Sequence, residues 1–203
     1  ILSEKVEAVR QFRLSSKAKT TNGYAKVPQL FAQITQPDDV DFLIIPRVSS
    51  ERRRYVPIGF VTADIISSDA VQIVPDATLY HFGVLTSNVH MSWMRAVCGR
   101  LKSDYRYSKE IVYNTFPWPD TTDDQKAKIE QTAQTILDAR AQYPDCSLAD
   151  MYGEKMYLFP ELLKAHQNND RAVMQAYSFS VKDMTESQCV AELMKMYQDL
   201  VSR

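Results

Sequence analysis

At 203 residues the chain suits one large domain or two small ones and can bury a sizeable core. Its 45% hydrophobic and 24% charged residues are ordinary for a globular protein, and no apolar run approaches the roughly 18 residues of a membrane span. A net charge of −1 gives no global basic signal. That average hides a split. Residues 1–120 carry 15 Lys/Arg against 12 Asp/Glu, a net of +3, while residues 121–203 carry 9 against 13, a net of −4. The Arg/Lys-rich patches all lie in the first part.

Residues 1–15 read as an amphipathic helix, with Val6, Val9 and Phe12 near helical spacing. "KAKTTNGYAK" follows as a polar loop with a basic bias. "FLIIPRV" and "YVPIGFV" read as two strands joined by the charged connector "SSERRR", and "AVQIVP" as a third. Residues 79–97 read as one helix with Phe82, Leu85, Val89, Trp93 and Val97 on its buried stripe.

"GRLKSDYRYS", residues 99–108, places Arg100, Lys102, Asp104 and Arg106 among Tyr105 and Tyr107. In an extended chain, side chains at i, i+2 and i+4 share one face. Lys102, Asp104 and Arg106 are therefore expected along one edge.

"NTFPWPD" marks a boundary, because Pro117 and Pro119 continue neither a ladder nor a helix interior. Phe116 and Trp118 anchor this linker to a core. Thr122 and Gln125 form a capping box for a helix that runs to about Gln142. Residues 160–177 and 185–201 are further helices, the last with Leu193, Met196, Tyr197 and Leu200 on one face. The fold class is α+β. A mixed sheet-and-helix domain, residues 1–119, precedes a small all-helical domain, residues 120–203.

Cys98, Cys146 and Cys189 are odd in number and lack CxxC spacing. This points to free thiols in a reducing compartment, without a zinc site. With no signal peptide at the start, a cytoplasmic setting is expected.

Catalytic signatures are absent. There is no GxGxxG, P-loop, HExxH or GxSxG pattern. His81, His90 and His166 are scattered and read as structural. "PDTTDDQK" spells a nuclease-like pattern, but its acids straddle a linker and the first turn of a helix, where Asp123 and Asp124 favour the helix dipole. No catalytic residue and no metal ligand are assigned, and the chain is not expected to be an enzyme by itself.

Two clusters carry recognition chemistry. "PRVSSERRRYVP" sets four arginines, two serines and a tyrosine in a turn between strands, as a solvated turn or a phosphate-contacting loop would. In "GRLKSDYRYS", Arg and Lys can donate to guanine O6 and N7, whereas Asp can accept from cytosine N4. Trp93, Phe116 and Trp118 sit in apolar or proline-anchored contexts and are read as core, in preference to base-stacking platforms.

"RVSSERRRYVPIGF", "VPDATLYHFGVLTSNVHMSWMRAVCGRLKSDYRYS" and "VYNTFPWP" resemble the target recognition domain of the Type IIL (MmeI-like) restriction–modification enzymes, from about residue 4 through Pro119. "AQYPDCSLADMYGEKMYLFPELLKAHQNNDRAVMQAY" is similar to the helical segment that follows it in that family. The resemblance implies a larger polypeptide containing an adenine-N6 DNA methyltransferase that uses S-adenosylmethionine, and in some members a nuclease. No NPPY-type tetrapeptide or Gly-rich cofactor loop occurs here, so no cofactor is expected in this chain. Its implied partners are double-stranded DNA and the methyltransferase domain of the same polypeptide, with no membrane.

By the same resemblance, base choice falls on Lys102, Asp104 and Arg106, with Arg47, Asp69 and Ala70 upstream. Ser49, Ser50, Arg52, Arg53, Arg54 and Lys109 are phosphate candidates on their chemistry alone. The alternative is a module that only docks other protein domains.

Overall fold

The computed structural model describes residues 1–32, 34, 36–37 and 39–202. It divides into two compact units, residues 1–37 and 38–203. The boundary drawn from sequence at 119/120 lies inside the second unit.

In the first unit, α1 (Leu2–Leu14) and α2 (Lys19–Gly23) precede a 3-10 turn over Tyr24–Lys26. The expected amphipathic helix forms but buries none of its residues, and Phe12 is 74% exposed. The basic stretch read as a loop is largely helical. Arg13 donates to the carbonyls of Tyr24, Val27 and Leu30 at 2.9, 3.0 and 2.8 Å, and the Asn22 amide donates to Leu14 O at 2.8 Å. These bonds tie down backbone that a loop leaves to water.

The second unit carries two small antiparallel sheets. β1 (Phe42–Pro46) is the centre of the first, between β3 (Gly59–Val61) and β4 (Val71–Pro75). Leu43 pairs with Phe60 on one side and Val74 on the other. Phe42, Leu43 and Ile45 are fully buried, as a central apolar strand requires. "YVPIGFV" is strand only at its end. Pro57 has no N–H for a ladder, and Ile58 N–H turns back to Val56 O at 2.9 Å. The second sheet has the order β2 (Val48–Ser49), β6 (Asp104–Arg106), β5 (Gly99–Leu101).

The single helix read over residues 79–97 is two, α3 (Leu79–Leu85) and α4 (Asn88–Val97). Ser87 breaks it: its Oγ accepts from His90 N–H at 3.3 Å and caps α4. Phe82, Leu85, Val89 and Trp93 are buried as the stripe predicts, and Val97 is half-buried.

α5 (Asp123–Ala141) starts from the Thr122–Gln125 capping box, with Asp123 and Asp124 in its first turn. α6 (Leu148–Met151), α7 (Pro160–Ala176) and α8 (Glu186–Val201) complete the chain. Leu193 of α8 is fully buried, whereas Leu200 on the same stripe is 54% exposed, because the helix end runs past the core.

These helices and the strands share one hydrophobic core. Gly83 of α3 lies so close to α5 that a Cβ there would stand 2.7 Å from Ile129 Cγ2. The Asn169 amide of α7 donates to Gly83 O at 2.8 Å, and buried Arg140 of α5 donates to Ile58 O at 2.8 Å. Phe116 is buried and half-buried Trp118 packs against it, while Tyr177 O–H donates to Pro117 O at 2.8 Å, so the linker is pinned as expected. Among the described residues no helix is long and apolar enough to cross a membrane.

Candidate nucleic-acid interface

Residues 99–106 form a hairpin, not one extended strand. β5 and β6 pair as Gly99↔Arg106, Arg100↔Tyr105 and Leu101↔Asp104, leaving Lys102 and Ser103 as the two-residue turn. Lys102 has φ 57°, the left-handed region that a first turn position of this kind demands. Lys102 therefore sits at the tip, off the ladder, and the expected row of three charges on one edge is corrected. Only Asp104 and Arg106 share a strand face. Alternation misled because a turn resets which way a side chain points.

The inner face of the sheet holds the hairpin to the core. Tyr105 and Tyr107 are buried, and the Arg100 guanidinium lies 4.1 Å from the Tyr105 ring centroid. Tyr107 O–H is 3.0 Å from Nε2 of fully enclosed His90 on α4. Burial lowers the His90 pKa to about 3, so the ring is neutral and structural. Trp93 is buried too, its Nε1 donating to Val112 O at 3.2 Å.

Arg47 is the seam between the sheets. Its N–H donates to Ala70 O at 2.9 Å, while its own carbonyl accepts from Tyr107 N–H at 2.8 Å. Its Nη1 donates to Asp69 O at 2.9 Å. Val48, the next residue, pairs with Arg106. Arg47, Asp69 and Ala70, which lie 29 to 52 positions before Gly99 in the sequence, are thus gathered beside the base of the hairpin. Asp69, Ala70, Lys102 and Arg106 are exposed, and Arg47 and Asp104 half-buried.

The phosphate candidates divide. Ser49 pairs with Tyr105 on the inner face and is 3% exposed, which corrects its assignment as an accessible hydroxyl. Ser50 Oγ accepts from Arg52 N–H at 3.3 Å and shapes the turn. Arg52 pairs with Glu154 at 2.7 Å with both side chains well exposed, a weak contact that a phosphate can displace. Glu51 lies 3.9 Å from Arg100. Arg53 is half-buried; Arg54 lies over the Tyr55 ring, 5.6 Å from its centroid, and lines a pocket with Asn88, Arg95 and Glu186. Lys109 opens a π-helical turn, Lys109–Tyr113, and is 65% exposed beside a groove against β4.

Three further residues share the outward face. Val48, Leu101 and Gly99 stand opposite Arg106, Asp104 and Arg106. No sequence pattern singled them out, since their placement depends on the ladder register. The signal that could have found them is the short polar "KS" between "RL" and "DYRY", a hairpin spacing.

A small sheet displaying charged side chains at one end, backed by buried tyrosines on a helical core, is the architecture of an α+β recognition module. Two family models match the chain: "MmeI, target recognition domain" over residues 1–120 and "MmeI, C-terminal domain" over residues 121–203. The chain belongs to the MmeI target recognition domain family, followed by that family's C-terminal domain. It is 36% identical over 203 residues to DNA methyltransferase A of Bacillus subtilis (strain 168), covering 100% of this chain and 23% of that protein. A solved structure of the Type IIL restriction-modification enzyme MmeI in complex with DNA matches with TM-score 0.90 and 45% identity, over 100% of this chain and 27% of that one. The chain therefore spans about a quarter of the length of these relatives.

Proposed function

We propose that this chain selects a specific sequence in double-stranded DNA on behalf of a larger adenine-N6 methyltransferase polypeptide. The observation that carries the reading is the seam: Arg47 bonds to Ala70 and Asp69 on one side and to Tyr107 on the other, beside Arg106. Six residues from three separated segments lie on and beside one small sheet, Lys102 at the tip of the β5–β6 ribbon and Arg47, Asp69 and Ala70 beside its base. A ribbon of this kind fits a major groove about 12 Å wide.

In this reading Arg47, Asp69, Ala70, Lys102, Asp104 and Arg106 face base edges. The arginines and the lysine donate to guanine O6 and N7, and the carboxylates accept from amino groups of cytosine or adenine. Ser50, Arg52, Arg53 and Lys109 fix register on phosphates. Arg54 is the weakest of the set, given its place over the Tyr55 ring. S-adenosylmethionine, which supplies the methyl group, is assigned to the methyltransferase part and to no residue of this chain. The exposed Leu2, Phe12 and Phe31 of residues 1–37 support packing of that unit on a second partner, the same methyltransferase part.

Selection of duplexes from a randomised library by the full-length protein tests the reading. Arg106→Ala and Asp104→Asn should each relax one base position. Arg53→Ala should weaken all sequences alike and reduce the salt slope by about 1. A protein that retains no preferred duplex at low salt would instead be a docking module.

A further inference from the structure

The outward face of the β2–β6–β5 sheet is not wholly polar. Val48 stands opposite Arg106 and Leu101 opposite Asp104, and residues opposite each other in an antiparallel pair share a face. Val48 is 40% exposed and Leu101 53%. The inner face of the same three strands is taken by Ser49, Arg100 and Tyr105, of which Ser49 and Arg100 are polar. A one-residue slip of β2 would exchange Val48 with Ser49, which is 3% exposed, and so bury the valine; on β5 every residue is exposed, and the register alone sets which face Leu101 takes. The register holds Val48 and Leu101 in the open, interleaved with the charges.

Gly99 adds a second feature of that face. It is the other neighbour of Arg106, its φ is not positive, and a Cβ there would meet only Arg106 Cβ, at 3.9 Å. Neither backbone conformation nor crowding requires a glycine. A missing side chain in a strand that tolerates one is a place for close approach of a partner.

We propose that Leu101 and Val48 read the C5-methyl group of thymine in the major groove, beside the polar contacts of Asp104 and Arg106. This rests on the DNA-recognition reading above. Among the groups that base pairs show in that groove, the thymine methyl is the one that an aliphatic side chain matches and a charged one does not. Opposite residues stand about 4.5–5.5 Å apart, against a rise of about 3.4 Å per base pair. Leu101 therefore falls on the base pair that Asp104 reads or on the next one. An adenine amino group accepted by Asp104 brings its own thymine methyl into the same groove, so the pair together specifies A·T.

Uracil substitution tests this on the full-length protein and its selected duplex. Replacing thymine by uracil deletes the methyl and keeps the base pair and O4. Two thymines of the site should each weaken binding roughly fourfold on replacement, the value of one buried methyl-sized group. Leu101→Ala should abolish that penalty at one position, and Val48→Ala at a second, without affecting the remaining positions; both residues are exposed, so neither change disturbs the core. A selected site without thymine, uracil that is silent everywhere, or penalties undiminished in both variants overturns the proposal while sequence recognition stands. Binding without any sequence preference overturns the recognition reading and this inference with it.

Discussion

Replacing Gly99 by valine separates fold from function at the hairpin. In the ladder Gly99 lies opposite Arg106, its φ is not positive, and a Cβ added to it would have only the Arg106 Cβ within 4 Å, at 3.9 Å. Stability should therefore not fall. Glycine in a strand costs about 0.5–1 kcal/mol, and valine is favoured there, so Gly99→Val should raise the unfolding free energy by up to about 1 kcal/mol. The isopropyl group, however, stands beside the base of the Arg106 side chain on the outward face, where a partner approaching that arginine must pass. A base edge must come within about 3 Å of the Arg106 guanidinium to make a bidentate contact worth about 1–3 kcal/mol. Losing it weakens binding to the selected duplex by roughly 5- to 150-fold. Urea unfolding and duplex titration on the same preparation give both numbers. Unchanged affinity with unchanged stability would refute the approach over Gly99, and a large loss of stability would show that the fold needs the glycine after all.

Other consequences follow from strain, crowding and buried ionisable groups. Lys102 holds φ 57°, so Lys102→Gly should be about 1 kcal/mol more stable than Lys102→Ala, with the same change of base preference in both. A base preference that changes only in Lys102→Ala, measured by duplex selection, would assign the effect to turn geometry and not to the ammonium group. Gly83→Ala should destabilise by about 1–3 kcal/mol in urea, despite alanine's better helix propensity, because its Cβ meets Ile129 Cγ2 at 2.7 Å; a neutral result would mean that α3 and α5 separate freely. Burial lowers His90 to about 3 and His166 well below its usual value, so the stability of these neutral rings is full above about pH 6.5 and falls with pH by about 1.4 kcal/mol per unit for each. Asp170, raised by burial from 3.8 to about 6, has the opposite sign and offsets one histidine between those values; a flat urea midpoint from pH 7 to 5 would refute neutral burial of both rings.

The elements that were legible in the sequence are those fixed by local chemistry. The Thr122–Gln125 box starts α5, the stripe of Phe82, Leu85, Val89 and Trp93 is buried, and Phe116 is core. Each depends on neighbours within a turn or two, or on bulk hydrophobicity. The break at Ser87 was missed because a serine inside an apolar helical pattern reads as tolerated until its hydroxyl is seen to cap. Ser49 was misread because the sequence "VSSERRR" does not say which serine faces inward; pairing with Tyr105 decides that.

By itself the sequence determined the family of the chain, its α+β composition, and the residue types available to a partner. Those follow from motif identity, hydrophobic periodicity and side-chain chemistry, all of which are properties of the chain read in order. Only the tertiary structure decided that Arg47, Asp69 and Ala70 gather beside the hairpin. Only it showed that Lys102 occupies a turn while Asp104 and Arg106 share a strand with Val48 and Leu101 at their sides. Register and sheet order set which residues become neighbours. They are fixed by long-range hydrogen bonds and by burial of Tyr105 and Tyr107 against the helical core, neither of which any local pattern encodes.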